Sequence, residues 1–171
     1  MDAQFLELSV AVGEALAQQG LSLACAESCT GGWAAAVVTA TAGSSAWFER
    51  GFVTYSNNAK EEMLGVPAAT LLTAGAVSED VARAMASGAL RHSRADLALA
   101  ITGIAGPGGG SAGKPVGTVC FAWCRRDQPA LSATRLWPGD RQAVRRASVL
   151  HALEGLIAML APAKGTAKTV P

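Results

Sequence analysis

Two apolar runs, 21–25 and 33–38, are separated by only Ala26-Glu27-Ser28-Cys29-Thr30-Gly31-Gly32. The first run is short and dense enough for a buried strand, and the second is alanine-rich and suits a helix. The glycine pair lets the chain reverse tightly between them. A strand–turn–helix order of this kind commits the surrounding chain to an α/β arrangement and places two hydroxyls and a thiol at the turn. Backbone N–H groups at such a turn can hold a phosphate or a developing oxyanion. The same residues also suit a Ser/Thr helix cap whose glycines allow close helix–strand packing. The turn alone does not choose between these readings.

The rest of the chain extends the alternation. Apolar positions Leu6, Leu8, Val10, Val12, Ala15 and Leu16 predict a helix ending at Gly20. A segment around 51–55 reads as extended. Ser56-Asn57-Asn58 is read as capping a helix over 59–64, with Glu61 and Glu62 in its first turn. Residues 68–74 fit a short helix or loop. Ser78 caps a further helix with Glu79 and Asp80 in its first turn. Residues 96–102 read as a buried strand that runs into a second glycine-rich loop, 103–110. Strands follow over 116–125 and 130–137. Asp140 caps a last helix over 141–160, whose apolar line is Ala143, Ala147, Leu150, Leu153, Ile157 and Leu160. Strands and helices interleave without a dividing linker, so one domain over 1–161 is expected, with a frayed tail at 162–171. The predicted fold class is α/β, a three-layer α/β/α sandwich around a mostly parallel or mixed sheet. If the strands before the two glycine-rich turns are neighbours, both turns share one sheet edge and build one pocket.

Composition narrows the function. Half of the 171 residues are apolar, enough for a sizeable core, and aromatics are only 5%, so small side chains pack it. A net charge of +1 argues against nonspecific nucleic-acid binding. Arginines do gather at Arg125, Arg126, Arg135, Arg141, Arg145 and Arg146. Most read as a solvated helix face plus a loop, with Arg141 kept as a candidate for an anionic ligand. No secretory signal is visible and no apolar run reaches the length of a membrane span, so a cytoplasmic protein without a membrane partner is expected. The four cysteines, Cys25, Cys29, Cys120 and Cys124, form two C-x3-C spacings with no histidine nearby. They read as structural thiols rather than a metal site. Alanine- and glycine-rich helix faces, with Trp33, Trp47 and Phe48, suit a homo-oligomer interface and core packing equally.

Three segments then call for one explanation: the Ser28 turn, the run Tyr55-Ser56-Asn57-Asn58-Ala59-Lys60, and the loop from Thr102 to Gly110. The glycine loop lacks the Lys-Ser/Thr ending of a Walker A motif and the dinucleotide spacing, which leaves a phosphate or oxyanion nest or a plain loop. A serine nucleophile needs a base, with Cys29 as its competitor. Neither histidine, His92 or His151, lies beside a candidate turn, so a Ser-His-Asp triad has poor support. Lysine is the alternative. At an ordinary pKa of about 10.4, under about 1% is neutral near pH 7 to 8. Burial lowers that pKa by several units, and three units correspond to about 4 kcal/mol. Lys60 begins a helix just past an extended segment. Read alone it is a solvent-facing residue.

Taken in order, 26–32, Gly51-Phe52-Val53-Thr54-Tyr55-Ser56-Asn57-Asn58-Ala59-Lys60, Gly75-Ala76-Val77-Ser78-Glu79, Thr102-Gly103-Ile104-Ala105-Gly106-Pro107-Gly108-Gly109, Lys114-Pro115-Val116-Gly117-Thr118-Val119 and Pro138-Gly139-Asp140-Arg141 closely resemble the CinA C-terminal domain family. The resemblance covers roughly residues 5–160. Within the family, the chain looks like the stand-alone amidohydrolases. The resemblance implies hydrolysis of the carboxamide of nicotinamide mononucleotide to nicotinate mononucleotide and ammonia, in pyridine nucleotide recycling, by a Ser/Lys hydrolase with no metal or cofactor. Ser28 would be the nucleophile, Lys60 its base and Tyr55 a proton relay or lysine holder. Thr30, Gly31, Gly32, Asn57, Thr102, Gly103, Gly106 and Arg141 are the expected substrate-binding positions. Longer family members carry an N-terminal domain associated with pyrophosphatase activity, which this sequence does not support. The rival reading is a non-catalytic nucleotide-binding or interaction module, which has no need for Ser28, Tyr55 and Lys60 together.

Overall fold

Four helices start on side chains that accept a backbone N–H three residues ahead. Asp2 caps α1 (Ala3–Gln19), Ser56 caps α3 (Asn57–Leu64), Ser78 caps α5 (Glu79–Arg91) and Asp140 caps α6 (Arg141–Leu160). Because α3 begins at Asn57, Glu61 and Glu62 lie beyond its first turn, contrary to expectation. Two shorter helices, α2 (Trp33–Val38) and α4 (Ala68–Ala74), complete the set. The strands are β1 (Leu23–Glu27), β2 (Phe48–Val53), β3 (Leu97–Gly103), β4 (Thr118–Arg125) and β5 (Leu131–Leu136). This is a computed structural model and describes residues 2–161; the expected frayed tail lies outside the described residues.

The strands form one mixed sheet in the order β2-β1-β3-β4-β5. β1 runs parallel to both β2 and β3, while β4 and β5 are antiparallel additions. Helices cover both faces, as the three-layer reading predicts. Strand alternation sorts the side chains by size. Leu23, Cys25, Leu97, Leu99, Ile101, Val119, Phe121 and Trp123 face α1, α2 and α6. Ala24, Ala26, Ala98, Ala100, Cys120, Ala122 and Cys124 face the α3–α5 side. Alanine on that face lets α5 lie close to the sheet, in keeping with an aromatic-poor core. All four cysteines are buried free thiols.

Two helices present a different face from the one their periodicity predicts. In α1 the buried line is Phe5, Ser9, Val12, Gly13 and Leu16, which leaves Leu6 and Val10 exposed. In α6 it is Val144, Ser148, Val149, Ala152, Leu153, Leu156 and Leu160. Both helices are apolar around much of their circumference, so a fixed partner sets the rotation. For α6 that partner is Trp123, whose indole N–H donates to the Ala152 carbonyl at 2.8 Å. A Cβ on Gly155 would lie 2.3 Å from the same indole, so the glycine makes the seat.

Candidate active site

β1 and β3 are neighbours, so the two glycine-rich turns do meet at the carboxyl ends of the parallel strands. The helix after β1 packs on one face of the sheet and the helices after β2 on the other. The crevice therefore sits where the chain changes sides, the usual place for a ligand in an open α/β sheet. The ladders run one residue past the strands. The Ser28 N–H donates to the Ile101 carbonyl at 2.9 Å and the Thr54 N–H to the Glu27 carbonyl at 2.8 Å. Ser28 is thus fixed by backbone on a rigid edge.

Lys60 comes to it from α3. Its Nζ donates to Ser28 Oγ at 3.0 Å and to the Thr54 carbonyl at 2.8 Å. Lys60 is only 2% exposed, among the largest fully enclosed side chains of the protein. Burial lowers its pKa from the ordinary lysine range, and the charge on a Cys29 thiolate would oppose that shift. No carboxylate forms a salt bridge with it among the described residues. Cys29 itself is 6% exposed. Its thiol is pushed up to about 11, mainly by burial. At neutral pH it is a protonated neighbour of the Ser28 hydroxyl. Of the histidines, His92 ends α5, and His151 stands edge-on among Phe121, Trp123 and Trp137. No cluster of three His, Cys, Asp or Glu able to hold a metal ion occurs among the described residues.

Two residues that sequence reasoning passed over shape the turn. Glu27 is 1% exposed and accepts three backbone N–H groups, from Gly32 at 3.1 Å, Ala34 at 3.0 Å and Ala35 at 2.9 Å. It therefore serves as the acidic cap that α2 otherwise lacks. Arg145 donates from Nε to the Cys29 carbonyl at 3.1 Å and from Nη2 to the Thr30 carbonyl at 2.8 Å. Its guanidinium also lies 5.3 Å from the centre of the Trp33 ring. The sequence signal for Arg145 was its place four residues after Arg141 on one helix, which puts both on one face. Arg126 stays exposed, as the solvated reading expects, while its guanidinium donates to the Leu90 carbonyl at 3.0 Å.

Ser28, Cys29, Tyr55, Gly103, Gly106 and Arg141 share a cavity of about 260 Å³. Arg141 spans it, donating to Tyr55 Oη at 2.6 Å and to the Gly106 carbonyl at 2.9 Å. Other expected positions lie elsewhere. Thr30 is fully buried beneath the turn. Gly31 donates its N–H to the Ser28 carbonyl at 3.0 Å and Gly32 gives its own to Glu27. Thr102 is buried with its hydroxyl on the Ala76 carbonyl at 2.8 Å. Asn57 borders a separate hollow with Glu61 and Leu72. Of the turn amides, those of Cys29 and Thr30 are accepted by no other residue, and of these two residues Cys29 lines the cavity.

The sequence matches the model of the CinA C-terminal domain over residues 6–160. It is 54% identical over 155 residues to the nicotinamide-nucleotide amidohydrolase PncC of Escherichia coli K12, a match covering 91% of this chain and 94% of that one. The protein of the same description from Pseudomonas putida is 49% identical over 150 residues, with 88% and 93% covered. Among solved structures, the competence/damage inducible protein CihA from Agrobacterium tumefaciens superposes with a TM-score of 0.90 at 49% identity, covering 93% of this chain and 97% of that one.

Proposed function

We propose that this chain, which belongs to the CinA C-terminal domain family, is an amidohydrolase that converts nicotinamide mononucleotide and water to nicotinate mononucleotide and ammonia, in pyridine nucleotide recycling. The observation that carries the reading is the 3.0 Å contact between Ser28 and a buried Lys60 whose pKa burial lowers.

Neutral Lys60 takes the Ser28 proton as Oγ bonds to the carboxamide carbon. The Cys29 amide, which no other residue accepts, meets the oxygen that gains charge. The C–N bond then breaks, and the proton held on Lys60 passes to the departing nitrogen, giving ammonia and a nicotinoyl ester on Ser28. Water loses a proton to Lys60 and attacks the ester, and Lys60 returns that proton to Ser28. Thr54, through its carbonyl, holds Nζ in line throughout. Tyr55 and Arg141 form the opposite wall. With the Gly103–Gly109 loop, Arg141 offers a cation and backbone amides to the ribose-phosphate.

The test is incubation of the purified protein with nicotinamide mononucleotide and a chelator, with ammonia and nicotinate mononucleotide measured together. Equimolar release by the wild type, lost in Ser28→Ala and Lys60→Ala, is expected. A folded wild type that binds the nucleotide without turnover would overturn the reading in favour of a binding module.

A further inference from the structure

We infer that Arg145 is a positioning residue for the oxyanion donor, acting through two peptide planes without touching the substrate. This rests on the Ser28 hydrolase reading above. In a trans peptide the C=O and N–H point in opposite directions. Arg145 Nη2 holds the Thr30 carbonyl at 2.8 Å, which turns the Gly31 N–H the other way. That N–H donates to the Ser28 carbonyl at 3.0 Å. The Ser28 carbonyl shares its plane with the Cys29 N–H, which is therefore turned away from the interior of the turn. Cys29 lines the cavity beside Ser28. The second bond, from Nε to the Cys29 carbonyl at 3.1 Å, fixes the intervening plane.

One guanidinium fork thus holds two consecutive peptide units directly and the Ser28–Cys29 unit through the Gly31 N–H. Stacking on Trp33 at 5.3 Å and partial burial hold the fork itself. A lysine in its place carries the same charge but lacks the planar pair of donors. Gly31 lets the arrangement close because its φ is +63°, a conformation that L side chains rarely adopt. Arg141, one turn earlier, contacts the cavity wall, so the first turns of α6 serve both sides of the site.

The experiment is steady-state deamidation of nicotinamide mononucleotide by wild type, Ser28→Ala, Arg145→Met and Arg145→Lys, across pH, with urea unfolding of each. Removing a single oxyanion donor costs about 10²- to 10³-fold in kcat. Misdirecting one is expected to lower kcat about 100-fold in Arg145→Met and about tenfold in Arg145→Lys. KM should stay within about threefold and the acid limb of the pH profile should not move. If Arg145→Met does not fold, Arg145→Lys decides by the same criteria. Unchanged kcat in an active background overturns the inference and leaves the hydrolase reading standing. So does a loss confined to KM. A shifted acid limb would mean that Arg145 acts as a through-space charge on Lys60, which also overturns it. An inactive wild type overturns the hydrolase reading, and this inference with it.

Discussion

Replacing Glu27 with glutamine should weaken the fold far more than a one-atom change suggests. The carboxylate sits at 1% exposure and makes no salt bridge among the described residues. It accepts three amides, with Gly32 and Ala34 on Oε2 and Ala35 on Oε1. A glutamine has one acceptor oxygen. Its best arrangement keeps that oxygen on the Gly32 and Ala34 pair and turns its NH2 against the Ala35 N–H. One charge-assisted bond is lost, about 1.5–3 kcal/mol, and the other two weaken as their acceptor becomes neutral. Relief from burying a charge returns part of this. The net expectation is about 2–4 kcal/mol, or about 5–15 °C in Tm for a chain of this length. The assay is urea unfolding followed by circular dichroism, repeated at 0.05 and 0.5 M salt. Because the carboxylate is enclosed, salt should leave the difference unchanged. A Glu27→Gln protein within about 0.5 kcal/mol of wild type would refute the argument that α2 and the Ser28 turn hang on this carboxylate.

Lys60→Met should abolish turnover and also change how stability follows pH. The folded pKa of Lys60 lies below its unfolded value, so between the two the unfolded chain binds the extra proton and wild-type stability rises with pH. The variant should lose that rise, and parallel pH curves for the two proteins would contradict the burial argument. With its thiol at about 11, Cys29 is about 0.1% ionised at pH 8. Cys29→Ala should therefore keep kcat within about threefold, and a 100-fold loss would transfer the nucleophile to sulfur. Gly88→Ala should destabilise by about 1–3 kcal/mol or more, since its Cβ would lie 2.1 Å from the Leu64 carbonyl oxygen, a backbone atom that cannot turn aside. An unchanged urea midpoint would show that α3 and α5 separate easily.

What was legible in the chain follows from what acts locally. Ser56, Ser78, Asp140 and Gly20 mark helix ends because capping involves neighbours in sequence. The strands before both turns were visible as apolar runs, and their adjacency gave the shared edge. The apolar run begins two residues before β1 and ends short of Glu27, because a carboxylate reads as the polar beginning of a turn. Only the backbone N–H groups at the start of α2 make it a core residue. Arg145 was hidden for a similar reason. Its partners are carbonyls 115 and 116 residues away, and a carbonyl leaves no trace in a side-chain pattern. The rotations of α1 and α6 are not legible because apolar residues lie around much of each circumference and leave the pattern little phase.

The sorting of large and small side chains onto opposite faces of the sheet has a consequence for how the site comes into being. Ser28 leads into α2, which belongs to the large-residue layer, while Lys60 is carried by α3, which belongs to the alanine layer. The 3.0 Å contact between them therefore crosses from one layer to the other around the sheet edge. It needs both the sheet edge that fixes Ser28 and the docked α3 that carries Lys60. Until α3 docks on the sheet the amine is exposed and charged, so the base is switched on only when that layer is in place. A nascent or partly opened chain thus carries an ordinary serine and an ordinary lysine, and its reactivity toward amides would date the moment of closure.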